Sequence, residues 1–269
     1  MFQRKIRPQK SAEPAMSAII SEPRRRRNGI YLLPNLFTTA GFFAGFFAVI
    51  AAMGGRFEAA AIAIFVAMLM DGIDGRLARL LNAQSDFGAQ YDSLADMMSF
   101  GLAPALVAYL YALQGLGKVW WLPAFVYGVC AALRLARFNT QVGSADKRYF
   151  QGLASPAAAA LIAGLVWVGV DLDWSRNWVG PVFASLCIIA GLLMVSNFRY
   201  PSFKEVDWRG RVPFMTVLVL MLVLVLIASF TSVVLFTGFA VYALWGPIFT
   251  IWSKRKARSS RQVEPRPAP

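Results

Sequence analysis

Uninterrupted apolar blocks recur along almost the whole chain, the clearest being Val217–Ala228. A helix needs roughly 20 apolar residues to cross the hydrocarbon core of a bilayer. Blocks of that kind, repeated end to end, leave a soluble fold nowhere to bury them. Composition agrees: 58% of the 269 residues are hydrophobic and only 15% are charged, against about 25% charged in a soluble domain. A membrane-spanning β-barrel would show short strands of alternating polarity, which this sequence lacks. The expected fold class is an all-α integral membrane protein.

Hydropathy places eight spans, at about 34–53, 57–80, 93–114, 119–138, 153–170, 178–196, 212–230 and 232–252. Only Thr231 and Gly238 punctuate the last pair, and six spans plus a re-entrant pair would satisfy the same pattern. Residues 1–28 form a basic tail expected to be disordered, 29–252 one transmembrane bundle, and 253–269 a second basic tail. No apolar segment begins near Met1, so a cleaved signal peptide is not expected. No second folded domain and no internal repeat is legible.

The net charge of +13 would suggest nucleic-acid binding in a soluble protein, but here topology accounts for it. With both tails on one side, that side holds 24 of the 27 Lys and Arg residues: eight in the first tail, two at Arg76 and Arg79, four in Arg134–Arg148, four in Arg199–Arg211 and six in the last tail. The other side holds Arg56, Lys118 and Arg176. By the positive-inside rule both termini are expected to be cytoplasmic, with basic rims facing anionic membrane lipids. No nucleic-acid partner is expected.

Cys130 and Cys187 both lie inside apolar segments and read as small core residues. The chain contains no histidine. That removes Ser-His-Asp catalysis and His-ligated zinc. Trp120, Trp121, Trp174 and Trp178 read as an interfacial aromatic belt.

The acidic residues are unevenly placed. Of 14 Asp and Glu, five (Asp71, Asp74, Asp86, Asp92 and Asp96) fall within 26 residues beside apolar helices. Carboxylates at such positions are costly and mark function. At about 100° per residue, Asp71, Asp74, Gly75, Ala78 and Arg79 share one face of the second span. Gly88, Asp92 and Asp96 recur every fourth residue on the next helix. Four carboxylates from two neighbouring helices can thus converge, a hard oxygen set suited to Mg²⁺, Mn²⁺ or Ca²⁺. Gly75 and Gly88 remove bulk on these faces, and Arg79 offers a fork that matches phosphate. The bland alternative is that the aspartates cap helices and pair with Arg76 and Arg79, a role expected for Asp86 in the connecting turn.

The spacing D-x2-D-G-x2-A-R-x8-G-x3-D-x3-D, met by Asp71, Asp74, Gly75, Ala78, Arg79, Gly88, Asp92 and Asp96, resembles the CDP-alcohol phosphatidyltransferase family. The resemblance implies transfer of a phosphatidyl group from a CDP-lipid to an alcohol with release of CMP. It implies a six-helix core, a site at the cytoplasmic membrane surface, and a divalent metal cofactor, Mg²⁺ or Mn²⁺, as two ions. Asp71, Asp74 and Asp92 would be metal ligands, and Asp96 a ligand or neighbouring group that also serves as general base. Gly75, Ala78 and Gly88 would line the cytidine diphosphate pocket, Arg79 would hold the diphosphate, and Asn35 and Thr38 would approach the nucleotide. No covalent nucleophile is required, so direct in-line displacement is expected. Family members of this kind tend to dimerise, so a homodimer is an expectation too.

Further segments, GIYLLPNLFTTAGFF (from Gly29), YDSLADMMSFGLAPA (from Tyr91), ALRLARFNTQ (from Ala132) and KRYFQGLASPAAAA (from Lys147), resemble the membrane-bound phosphatidylserine synthases within that family. The likeness covers about residues 29–170, with Ala154 standing where that group has proline. It implies CDP-diacylglycerol and L-serine as substrates. The absence of histidine separates the chain from the phospholipase-D-like synthases, which use histidine covalently. A serine carboxylate calls for a nearby cation. Arg134, Arg137 and Arg148, with Ser155, are the candidates for serine or the lipid phosphate. The alternatives are the same chemistry on glycerol 3-phosphate, inositol phosphate or choline, and, more remotely, a cation transporter built on the aspartate cluster.

Overall fold

The computed structural model describes residues 32–141, 149–201, 221 and 229–263. Among these are seven helices: α1 (Leu32–Met53), α2 (Phe57–Leu80), α3 (Asp86–Leu113), α4 (Leu122–Gln141), α5 (Ser155–Asp171), α6 (Arg176–Val195) and α7 (Thr231–Val263). A short antiparallel ribbon of β1 (Tyr149–Gln151) and β2 (Arg199–Pro201) joins them. The all-helical expectation holds apart from that ribbon. Among the described residues, four segments are long and apolar enough to cross a membrane: Leu32–Met53, Asp86–Leu113, Trp178–Val195 and Thr231–Thr250. On that measure the described residues account for four of the eight expected spans. α5 has only 17 residues, α2 and α4 carry charged side chains toward their C-terminal ends, and the expected span 212–230 lies outside the described residues except at 221, 229 and 230.

Local chemistry sets the boundaries. α2 stops where Asn82 adopts a left-handed φ of 48°, a conformation asparagine tolerates at helix ends. α3 starts seven residues before the expected 93, because Ser85 caps it by accepting from the Gly88 amide at 3.0 Å. Asp86 is therefore not the cap. It sits in the first helical turn, where a carboxylate complements the helix dipole. α7 runs on to Val263, past the expected boundary at 252, through Lys, Arg and Ala. These are good helix formers, and the cations suit a helix C-terminus.

Small residues bring the helices together. α1 buries Gly41, Ala44, Gly45, Ala48, Ala51 and Ala52 against α3, which Gly45 meets at Ser99, and against α2, whose own buried residues include Ala60, Ala61, Ala63, Ile64 and Ala67. Such residues let backbones approach closely where lipid supplies no hydrophobic drive. α5 is buried nearly all round, packed between α2 and α7. At Gly164 a methyl group would stand 3.1 Å from the Phe236 Cα. α4 lies along α6. Large apolar side chains such as Phe43, Phe46, Leu69, Phe125, Leu192 and Ile248 remain exposed on the outside, the positions that lipid would cover. Cys130 and Cys187 are buried and free, as expected of core residues.

α3 is not a regular helix. It passes through π-type turns at Met97–Leu102 and Tyr109–Leu113. π-turns inside α-helices recur at functional sites, and the first of these begins directly after Asp96.

Candidate active site

The second half of α2, the first half of α3, the C-terminal half of α4 and the N-termini of α1 and α5 meet at one end of the bundle. Helical phase carries out the assembly. Asp71 and Asp74 point from one face of α2, and Asp92 and Asp96 from one face of α3. One ligand oxygen from each of Asp71, Asp74 and Asp92 lies within 4.8 Å of the others. Asp96 stands beside Asp71, within charge range of Asp92 and of the Arg134 guanidinium. All four aspartates line one open cleft together with Thr38, Gly41, Ala67, Ala95, Ser99 and Phe100.

The donor set fits a hard divalent cation on an observation independent of sequence. Asp74 is only 4% exposed, and its Oδ2 is buried with no hydrogen-bond partner. An unpaired buried carboxylate oxygen is expensive. A cation shared with Asp71 and Asp92 removes that cost, and all-oxygen ligation is the preference of Mg²⁺ and Mn²⁺.

The remaining sequence candidates separate by environment. Gly75 opens onto empty space, with nothing within 4 Å of where a Cβ would sit. Arg79 Nε donates to the Gly75 carbonyl at 2.9 Å, which fixes the guanidinium on that same face, and Ala78 is half-buried beside it. Thr38 is buried next to Asp74 and donates to the Pro34 carbonyl at 3.2 Å. Gly88 does something different. A methyl there would stand 3.1 Å from Ser85 Oγ and 3.4 Å from Asn35 Oδ1, so its small size serves the close approach of α1 and α3.

Arg134 and Arg137, alike in sequence, have different surroundings. Arg134 is half-buried, donates from Nη1 to Ser155 Oγ at 2.7 Å, and keeps a buried Nε with no partner. Arg137 is committed elsewhere: to the Val195 carbonyl at 3.3 Å, Asn197 Oδ1 at 2.7 Å and the Gln151 side chain. Arg148 lies outside the described residues.

Sequence reasoning missed several contributors. Ser99 lines the cleft and donates to the Gly41 carbonyl at 3.0 Å. Asn139 exchanges hydrogen bonds with Ser93, the neighbour of Asp92, and Thr39 pairs with Tyr91 at 2.9 Å. The readable signal for the first of these was Gly41-x-x-x-Gly45, a small-residue spacing that marks close helix packing in membranes.

Residues 31–189 match the sequence profile of the CDP-alcohol phosphatidyltransferase family. The chain belongs to that family. Its relatives include the CDP-diacylglycerol–serine O-phosphatidyltransferase of Helicobacter pylori (strain 26695), 37% identical over 221 residues that make up 82% of this chain and 92% of the relative. The protein of the same name from Bacillus subtilis is 33% identical over 175 residues, 64% of this chain and 92% of the relative. The one from Mycobacterium tuberculosis (strain H37Rv) is 36% identical over 189 residues, 65% of each chain. In this phosphatidyltransferase the matched stretch holds the four aspartates, Arg79, Arg134, Arg137 and Ser155, whereas α7 falls beyond it.

Proposed function

We propose that this phosphatidyltransferase moves the phosphatidyl group of CDP-diacylglycerol onto the hydroxyl of L-serine, giving phosphatidylserine and CMP. The observation that carries the chemistry is the convergence of Asp71, Asp74 and Asp92 on one point, with Asp96 in the same cleft. The activity named for the three relatives above, 33–37% identical to this chain, carries serine as the acceptor.

Asp71, Asp74 and Asp92 would hold two divalent ions, Mg²⁺ or Mn²⁺, whose contribution is to neutralise charge on the phosphoryl oxygens and on departing CMP. Gly75 and Ala78 leave room for the cytidine diphosphate, and Arg79 meets it as a planar cation suited to phosphate. Asp96 takes the proton of the serine hydroxyl as that oxygen forms its bond to the phosphatidyl phosphorus. The bond from that phosphorus to the CMP oxygen breaks, and CMP leaves with the electron pair. Arg134 receives the serine carboxylate. Its place beside Asp96 and its unpaired Nε support that assignment. With no histidine in the chain, a single displacement needs no covalent intermediate on the protein.

We place the site at the cytoplasmic face, with both termini cytoplasmic, in an eight-span bundle with a six-helix core that forms a homodimer. Support for the orientation comes from the concentration of Lys and Arg on the side that carries Arg79 and Arg134; the six-helix core and the dimer rest on the resemblance to the family. The functional test is an acceptor panel. Purified protein with CDP-diacylglycerol and Mn²⁺ is given labelled serine, glycerol 3-phosphate, inositol phosphate or choline. Label should enter lipid, with matching CMP, from serine alone; transfer to another acceptor in its place overturns the assignment.

A further inference from the structure

Arg137 touches neither the aspartate cleft nor Arg134 through any hydrogen bond, yet it sits one turn after Arg134 on α4. Its guanidinium joins two separate pieces of chain: the end of α6 and the turn just after it, at Val195 and Asn197, and β1 at Gln151. The same pieces are stitched by backbone bonds, Gly152 N to the Phe198 carbonyl at 2.9 Å and Leu153 N to the Leu193 carbonyl at 3.0 Å. Gly152 has a φ of +79°, and a side chain there would run into the Met194 carbonyl. Only glycine fits such a crossing. Two residues beyond Leu153 comes Ser155, fully buried, whose hydroxyl receives Arg134 Nη1.

From this chain of contacts we infer that Arg137 is a positioning residue. It clamps Gln151–Leu153 to the end of α6, so that Ser155 holds the Arg134 guanidinium beside Asp96 and sets the subsite for the acceptor's carboxylate. This rests on the reading of Arg134 proposed above. The forked guanidinium matters, because Nη1 serves the Val195 carbonyl while Nη2 serves Asn197 and Gln151, a spread over two nitrogens that a compact ammonium does not reproduce. Arg134 thus acts on the ligand, and Arg137 acts on Arg134 through the ribbon and Ser155.

The test compares wild type, Arg137→Ala, Arg137→Lys, Asn197→Ala, Gln151→Ala and the Arg137→Ala/Asn197→Ala double variant in detergent. Each is assayed for KM and kcat toward serine and KM toward CDP-diacylglycerol. Displacement of a substrate-orienting group costs up to about 100-fold in rate. Arg137→Ala should raise the serine KM on the order of tenfold, with a smaller change in kcat and none in the CDP-diacylglycerol KM. Asn197→Ala and Gln151→Ala should shift the same parameter in the same direction, Arg137→Lys should fall between, and the double variant should be no worse than Arg137→Ala, as for residues acting through one another. A raised CDP-diacylglycerol KM, additive effects, or an unchanged serine KM overturns the clamp. Should Arg137→Ala fail to fold, Asn197→Ala and Gln151→Ala decide alone. Wild type that ignores serine overturns the acceptor reading instead, and the clamp is then measured with whichever acceptor wild type uses.

Discussion

Ser99 Oγ donates to the Gly41 carbonyl at 3.0 Å, tying the π-turn of α3 to α1 just beyond Asp96. One turn along α1, a methyl on Gly45 would stand 2.5 Å from that same Ser99 Oγ and 2.7 Å from the Ser99 Cα. The carboxylate pair of α3 therefore has its height relative to α1 set by a contact that tolerates no side chain. Gly45→Ala should lower thermal stability in detergent by the cost of overpacking, roughly 1–3 kcal/mol. Ser99→Ala should cost about 1 kcal/mol, the net worth of a buried hydrogen bond. Thermal unfolding of the two variants checks both values; a Gly45→Ala protein as stable as wild type would mean that α1 and α3 are further apart.

Asp71, Asp74 and Asp92 predict a metal requirement that binding shows without turnover. Outer partners of bound metals alone are worth roughly 10–100-fold in affinity, so Asp74→Asn, which changes one of the three carboxylates proposed to hold the ion, should weaken Mn²⁺ binding by at least that much. Titration of Mn²⁺ by its electron paramagnetic resonance signal measures this. EDTA should abolish CMP release, and added Mg²⁺ or Mn²⁺ should restore it.

The two glycines of the motif should respond differently to the same change. Gly75 faces open space, so Gly75→Val should fold normally yet raise the KM for CDP-diacylglycerol by filling the diphosphate approach. Gly88→Ala presses on the Ser85 cap and on Asn35, and should instead cost about 1 kcal/mol of stability, the scale of a lost N-cap. Unfolding curves and CDP-diacylglycerol titrations of both variants separate the two effects.

The parts of this molecule legible in sequence are those governed by periodicity. α2 begins and ends at the expected residues 57 and 80, and the 3.6-residue repeat alone put Asp71 and Asp74 on one face and Asp92 and Asp96 on another. What periodicity does not encode stayed hidden. The ribbon pairs three-residue strands, YFQ with RYP, too short to show alternation. The π-turn after Asp96 has no compositional signature. Arg134 and Arg137 looked interchangeable because their difference lies in partners far along the chain, Ser155 for one and Val195 and Asn197 for the other. The start of α3 was readable in Ser85, but hydropathy drew the boundary at the first apolar run.

Asp96 bears the central claim, since it alone among the four aspartates is assigned to move a proton. The decisive measurement is CMP release by Asp96→Asn in detergent, at saturating serine, CDP-diacylglycerol and Mn²⁺, beside wild type. General-base catalysis contributes about 10²–10⁴-fold. The variant should therefore unfold at the wild-type temperature while releasing CMP at least about 100-fold more slowly. Near-normal CMP release from the folded variant would contradict the account.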